Sequence, residues 1–257
     1  MIKFYKKIRQ NLLSEGKTRK YLKYATGEIV LVVIGILIAL QINNWNLNRQ
    51  NKILETDYLK GININLNDDI SELEKLFYKD TIKLNAYTYL IRTFNSEPIT
   101  SKHQEIITNL YNASGYNWFE GQNVVFENIK SSGNLNLIES DSIKYSIQKY
   151  YKFFEEVIKQ ENLYNSFVEK YTDRNSQYFD VSSFIENKAE LQWNGNTGPP
   201  DLSVINEPEF QLFKPNLIKN FSLIKDSRTH AHEVRKVLYN KAKNLKNMIE
   251  KYLKDKK

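Results

Sequence analysis

The chain has 257 residues, of which 41% are hydrophobic and 13% aromatic, so it can fill a core and wholesale disorder is excluded. It has no cysteine, which excludes disulfides, thiol nucleophiles and cysteine-ligated metal sites. The net charge of +7 is carried by residues 1–27, whereas the remaining charges balance. Nucleic-acid binding by the main domain is therefore not expected, because the basic surface that it needs is missing.

The chain is predicted to begin with a basic arm (1–23) and one transmembrane helix (24–45). Residues 29–40 (IVLVVIGILIAL) carry no polar side chain, and aromatic membrane-interface anchors flank them: Tyr21, Tyr24 and Trp45. At ~1.5 Å per residue the helix from Tyr24 to Trp45 is about 32 Å long, close to the ~30 Å hydrocarbon core of a bilayer. A cleaved signal peptide is the alternative, but the exit LIALQINNW lacks an A-x-A site.

Basic residues are distributed unequally around this span. Eight precede it, and only Arg49 and Lys52 follow it closely. The positive-inside rule then places the N-terminus in the cytoplasm and the rest of the chain on the other side of the membrane. Residues 2–13 have apolar side chains four apart with lysines opposite. They are predicted to form either an amphipathic helix on anionic lipid or a flexible basic arm.

Four residues of the span are candidates for contact with another helix. Glu28, at the cytoplasmic edge, could pair with another subunit or extend to headgroup water near the preceding lysines. Gly35 and Ala39 form a small-xxx-small pair, which permits close helix–helix approach. Gln41 could form a hydrogen bond across helices or lie at the outer interface without a partner.

Residues 46–257 are predicted to form an exported, all-α domain. Apolar residues three and four apart from Leu47 to Phe77 indicate that the transmembrane helix continues as a stalk. Further helices are predicted at about 80–95, 101–112 and 121–131, the last of them ended by Ser132-Gly133. No period-two run is long enough for a sheet, so we expect an antiparallel helical bundle.

The most regular predicted helix begins at Ser140 or Asp141, which can cap it. Its seam positions alternate four and three apart with one polar break at Glu161, as in a heptad repeat: Ile143, Ile147, Tyr150, Phe154, Val157, Tyr164, Val168 and Tyr171. Phe154 is expected to be buried against the C-terminal helix. That helix follows an irregular connection at 192–208, and its apolar spacing runs from Leu217 to Tyr252.

Two segments carry a family resemblance. Residues 25–46 (ATGEIVLVVIGILIALQINNWN) and 123–151 (NVVFENIKSSGNLNLIESDSIKYSIQKYY) resemble those of an uncharacterised family of single-span proteins from flavobacteria and their relatives. The resemblance implies a bacterial inner-membrane protein with a domain of unknown function. It supplies no catalytic residues that could be transferred to this chain.

No catalytic constellation is recognisable in the sequence. His230, His232 and Glu233 are the only cluster of metal-binding residue types, but side chains two apart on a helix point about 200° from each other and do not match H-E-x-x-H. Two carboxylate pairs, Asp68-Asp69 and Glu155-Glu156, are typical of solvated helix faces. The sequence therefore predicts no enzyme, no metal and no cofactor.

Aromatic residues mark two irregular segments, one near 113–120 with Tyr116, Trp118 and Phe119, and one at 192–208 with Trp193. They could form a binding loop or could close the end of the bundle core. We expect a non-enzymatic, membrane-anchored periplasmic module, in contact with lipid, that binds a protein partner, senses a ligand or associates with itself. The alternative is an accessory subunit of a larger inner-membrane complex, held through its transmembrane helix.

Overall fold

The protein is all-α over the part of the chain that the structure, a computed structural model, describes: residues 18–96, 103–176, 205 and 208–256. This part contains no strand and has these elements: α1 (Thr18–Asn95), α2 (His103–Ala113), α3 (Val124–Ser131), a 3-10 turn (Asn134–Leu137), α4 (Asp141–Ser176) and α5 (Pro208–Asp255). The predicted fold class is confirmed. Residues 1–17, most of the 192–208 connection and Trp193 lie outside the described residues.

The chain divides into two compact units, Met1–Asp57 and Tyr58–Lys257. In the first unit the described residues all belong to α1, which is the one helix of the described part of the chain that is long and apolar enough to cross a membrane. Its apolar window has a mean hydropathy of 2.3 and is 0% buried, which is compatible with a single membrane span. Trp45 is exposed there, and the side chains of Tyr21 and Tyr24 lie outside the described residues.

In the second unit, α5 runs antiparallel to both long helices. As the residue number rises along α1, the residue number of its contact on α5 falls. Three pairs show this: Asn63 with Glu250, Glu74 with Tyr239, and Phe94 with Phe210. Contacts with the α4 region follow the same rule, with Glu139 bonded to Lys256 and Glu161 bonded to Arg235. Helices α1 and α4 therefore point in the same direction.

The chain between α1 and α4 returns alongside α1. Its contacts with α1 move steadily backwards along that helix: Glu105 with Tyr89, Ser114 with Lys83, Gly121 with Glu72, and Asn134 with Tyr58. Helix α2, the irregular residues 114–123 and α3 together take the place of one helix in an up-down-up-down bundle. The second unit is thus an antiparallel bundle of four layers, each one helix wide. The second layer is interrupted, because two short helices joined by irregular residues replace a single helix.

The predicted heptad seam contributes to both apolar clusters found among the described residues of the second unit, with Val168 in one and the earlier seam residues in the other. Its residues from Ile143 to Val157 are buried in one apolar cluster with Leu238 and Ala242 of α5. Phe154 belongs to this cluster, and its neighbouring rings are Phe119, Tyr150 and Tyr151. The cluster around Phe154 therefore has two further contributors. One is the C-terminal helix, as predicted, and the other is the interrupted second layer, through Phe119.

Some predicted boundaries differ from the structure. The helix predicted at 80–95 is the last part of α1, which is continuous through Gly61. Val125 of α3 packs closely against α1 at Gly61. An added Cβ would lie 3.1 Å from Val125 Cγ1. The compact second unit begins at Tyr58. Two local signals were correct: Gly133 follows α3 at a φ of +71°, and Ser140 Oγ accepts the Ile143 N–H at 3.4 Å.

Candidate functional site

Residues 114–123, hereafter the aromatic loop, interrupt the second layer of the bundle. Gly115 and Gly121 lie within it at φ values of +78° and +62°, which favour glycine. At Gly121 the surroundings also forbid a side chain, because an added Cβ would lie 2.3 Å from Phe154 Cε2. A non-helical backbone inside a bundle leaves N–H and C=O groups without intrahelical partners, so other groups must satisfy them.

Side chains of α1 and α5 donate hydrogen bonds to carbonyl oxygens at the start of the loop: Tyr87 Oη to Ala113 at 3.0 Å, Lys83 Nζ to Ser114 and Gly115, Arg228 Nη2 to Gly115 at 2.9 Å, and Arg235 Nη2 to Asn117 at 3.0 Å. All four of these side chains are buried. Burial, reinforced by the charge of Arg228, lowers the pKa of Lys83 to about 8.

Carboxylates of α1 accept hydrogen bonds from amides at the other end of the loop. Glu72 accepts the N–H groups of Glu120 at 2.8 Å and Gly121 at 3.1 Å, and Asp69 accepts that of Gln122 at 2.7 Å. Cationic side chains therefore bind carbonyl oxygens, and carboxylates bind amide N–H groups. Each charged side chain thus faces a main-chain group of the opposite polarity. The loop is held at both ends by side chains from other elements.

Asp69 was predicted to lie on a solvated helix face, and this prediction was wrong. It is 0% exposed, whereas Asp68, Glu155 and Glu156 are exposed as predicted. Asp69 follows Leu66 by three residues and precedes Leu73 by four, so it occupies the apolar stripe of α1. Burial raises its pKa to about 7, although hydrogen bonds from Tyr150 at 2.6 Å and Gln122 act in the opposite direction.

The buried Asp69 carboxyl should make the stability of the second unit fall as pH rises. Its pKa is about 7 in the folded state against an ordinary value of 3.8, so between these values the folded state binds more protons than the unfolded chain. The contribution of Asp69 to the free energy of unfolding is complete below pH 3.8, and it is lost as the pH rises through about 7. The Asp69→Asn variant should lose this dependence, and Asp68→Asn should retain it. Urea unfolding of the full-length protein in detergent at acidic and neutral pH measures both, and equal slopes for Asp69→Asn and the unsubstituted protein would contradict the assignment.

A second buried polar cluster is centred on Arg235. Its guanidinium binds Glu161 at 2.6 and 2.7 Å and Asp80 at 2.7 Å, and all three residues are buried. Burial acts to lower the pKa of Arg235, but the bonds to Glu161 and Asp80 outweigh it and the pKa is raised. His232 Nδ1 lies 3.3 Å from Asp80 Oδ2 at the edge of this cluster. Glu161, the polar break predicted in the α4 seam, is therefore the partner of a buried cation.

His230 and His232 do not converge on a common point. His230 packs edge-on against Tyr164, whereas His232 contacts Asp80 and the ring of Phe77. Glu233 is exposed and binds Lys236 at 2.9 Å. No group of three or more His, Asp or Glu side chains could hold a metal ion among the residues that the structure describes.

The aromatic residues of the loop separate into two groups. Phe119 is buried edge-on against Phe154, with ring centroids 5.5 Å apart. Tyr116 and Trp118 are each 46% exposed, and the Trp118 indole N–H binds Glu120 Oε1 at 2.9 Å. Phe119 thus closes the core, while the other two rings lie at the surface of a loop whose main chain is fixed.

The span residues singled out from the sequence, Glu28, Gly35, Ala39 and Gln41, are all exposed in the first unit. Among the described residues, no heavy atom other than the local helix backbone lies within 4 Å of an added Gly35 Cβ. The surface around Gly35 is therefore open to lipid or to a second helix.

Sequence reasoning missed the buried cations of α5, although a signal for them was present. Arg228 and Arg235 continue the alternating spacing of four and three that runs from Leu217 through Ala231 to Leu238. Charged residues in register with an apolar stripe indicate buried, partnered charges. The partners themselves could not be read from α5, since they lie in other elements.

The comparisons with known proteins identify a family and no characterised relative. A family model described as a family of unknown function (DUF6090) matches residues 28–192, which is more than half of the chain. Neither a curated protein nor a solved structure matches the chain. The matched region includes the apolar part of α1, the aromatic loop and α4.

Proposed function

We propose that this chain, which belongs to the family of unknown function DUF6090, is a membrane-anchored binding module that contacts a partner protein through its aromatic loop. The module is non-enzymatic: its buried Lys83, Arg228 and Arg235 bind main-chain atoms of the loop, and Arg235 also binds a buried carboxylate. The anchor is the apolar part of α1, and the membrane is a bacterial inner membrane of the flavobacterial type that the sequence resemblance implies.

The observation that carries this proposal is the contrast between a fixed main chain and exposed aromatic rings. Lys83, Arg228 and Arg235 hold one end of the loop, and Glu72 with Asp69 holds the other. The rings of Tyr116 and Trp118 nevertheless remain half exposed. Aromatic residues dominate the binding energy of protein interfaces, and a pre-organised loop loses little entropy when it binds.

Photo-crosslinking in native membranes tests the proposed contact. A benzophenone amino acid in place of Trp118 or Tyr116 should give the same discrete crosslinked product, and one in place of the exposed Tyr78 of α1 should not. A Trp118→Ala substitution should remove the product formed from position 116 without changing the thermal melt, because much of the Trp118 ring is already exposed. Crosslinking that is absent at 118, or equal at 118 and 78, would refute the proposal.

We expect the second unit to lie in the periplasm and the N-terminus in the cytoplasm, because basic residues are concentrated ahead of the span. The chain has no cysteine, so single cysteines can be labelled without background. In cells with a permeabilised outer membrane, a membrane-impermeant maleimide should label Tyr78→Cys and should label Ser14→Cys only after lysis. The reverse pattern would overturn this topology.

The alternative function is an accessory subunit held in a larger complex through the span. The open surface at Gly35, one turn from the exposed Ala39, favours it, because small residues permit a second helix to approach. The two functions separate when residues 24–45 are replaced by an unrelated transmembrane helix. Partner crosslinking from position 118 should persist if the loop binds the partner, and should disappear if the span does.

A further inference from the structure

A cavity of about 90 Å³ lies beside the start of the aromatic loop. Four helices of the second unit contribute to its wall, which also includes the main chain at Ser114 and Gly115. Most of the lining side chains are apolar: Leu110, Ala113, Val168, Leu217, Phe221 and Ile224. The polar side chains are fewer and include Tyr87, Tyr116, Thr172 and Arg228. A largely apolar wall with a small number of polar groups is the usual composition of a small-molecule site.

Arg228 is the cationic group of this wall, and its charge is not paired. It is 7% exposed, its Nη2 binds the Gly115 carbonyl, and its Nε has no hydrogen-bond partner. Among the described residues no carboxylate lies within ion-pair distance of Arg228. Arg235, two turns further along α5, has two carboxylate partners. A buried guanidinium normally has such a partner, because desolvating an unpaired charge is costly.

Lys83 adds to the excess of positive charge at this end of the cavity. It binds the same Gly115 carbonyl as Arg228, at 3.2 Å. The charge of Arg228 is one of the causes that lower the pKa of Lys83 to about 8, after burial itself. Two cations therefore converge on one uncharged acceptor, and an anion in the cavity would stabilise both.

We propose that this cavity binds a short aliphatic carboxylate, with the carboxylate beside Arg228 and the alkyl group among the side chains of Leu110, Val168, Leu217 and Phe221. A cavity of about 150 Å³ holds the six carbons of benzene, so in proportion one of about 90 Å³ holds about four non-hydrogen atoms, the number in acetate, and propionate adds one methyl group. Inorganic phosphate would match the charge but would leave the apolar wall against a strongly hydrated ion. This ligand site shares Tyr116 with the proposed partner contact, but its test needs no partner.

The test titrates sodium propionate into the full-length protein in detergent, at ionic strength held constant with sodium chloride. Ligand that binds only the folded state raises the melting temperature in a saturable manner. We expect such a rise with propionate, together with saturation transfer from the protein to the propionate methyl group in NMR spectra. Propionamide, which has the same shape without the charge, and sodium phosphate should each give no rise. Equal responses to all three compounds, or no saturable response to propionate, would overturn the proposal.

Two variants and one control assign the response to the cavity. Arg228→Gln removes the charge and keeps a polar side chain, and it should weaken propionate binding at least tenfold. Val168→Phe fills the apolar wall and keeps the charge, so it should also abolish the response, and it decides the matter if Arg228→Gln does not fold. Arg174→Gln removes an exposed cation of α4 and should leave binding unchanged. Unchanged binding in Val168→Phe, or equal loss in Arg174→Gln, would place propionate elsewhere.

Discussion

Replacement of Arg235 by methionine is expected to lower the free energy of unfolding by about 3–5 kcal/mol, because it leaves two buried carboxylates without their counter-ion. Asp80 and Glu161 lie within 2.7 Å of the guanidinium and are almost fully buried. The variant would also lose the hydrogen bond to the Asn117 carbonyl of the aromatic loop. Urea unfolding of the full-length protein in detergent, followed by far-UV circular dichroism, measures the change.

The neighbouring cation is the control for this prediction. Lys236 is 48% exposed and binds the exposed Glu233 at 2.9 Å, so Lys236→Met should change the free energy of unfolding by about 0.5 kcal/mol or less. Adding Asp80→Asn and Glu161→Gln to Arg235→Met should restore part of the loss, since no uncompensated charge then remains buried. Similar shifts for Arg235→Met and Lys236→Met would show that the cluster does not hold the bundle together.

Truncation of Phe154 is the second large expected effect. Phe154→Ala should lower the free energy of unfolding by about 3–5 kcal/mol, through lost transfer energy and the cavity that remains. The ring is buried beside Phe119 and Tyr151, with ring centroids 5.5 and 5.9 Å away. Because Phe119 belongs to the aromatic loop, the same substitution should loosen the loop. Hydrogen exchange at the Glu120 and Gly121 amides should become faster in the variant.

Glu155, one residue further along α4, is the matched control for Phe154. Its side chain is 47% exposed and lies 3.8 Å from that of Lys130, which is also largely exposed. Surface ion pairs of this kind contribute little, so Glu155→Ala should stay within about 0.5 kcal/mol of the parent protein. If the denaturant midpoints of the two variants shift equally, the α4 seam is not part of the core.

Periodicity alone was sufficient to predict which faces of α4 and α5 are buried. The alternation from Ile143 to Val157 identified the buried seam of α4, and the spacing from Leu217 onwards identified that of α5. Helix ends with a chemical marker were also predicted, as at Ser140 and Gly133. These features depend on neighbours within about one or two turns of the same helix, and such neighbours are visible in a single sequence.

The sequence by itself determined the all-α class, the apolar N-terminal helix, the seams of α4 and α5, and the position of the aromatic loop. Only the tertiary structure explained why charged residues occupy positions in the otherwise apolar stripes of α1 and α5. Asp69, Arg228 and Arg235 are buried because irregular backbone of the loop lies against them and needs partners that its own segment cannot supply. Arg228 and Arg235 lie more than a hundred residues along the chain from the loop that they bind, so no local pattern could assign those partners. The same packing forms the partly open cavity beside Arg228, for which the sequence contained no signal.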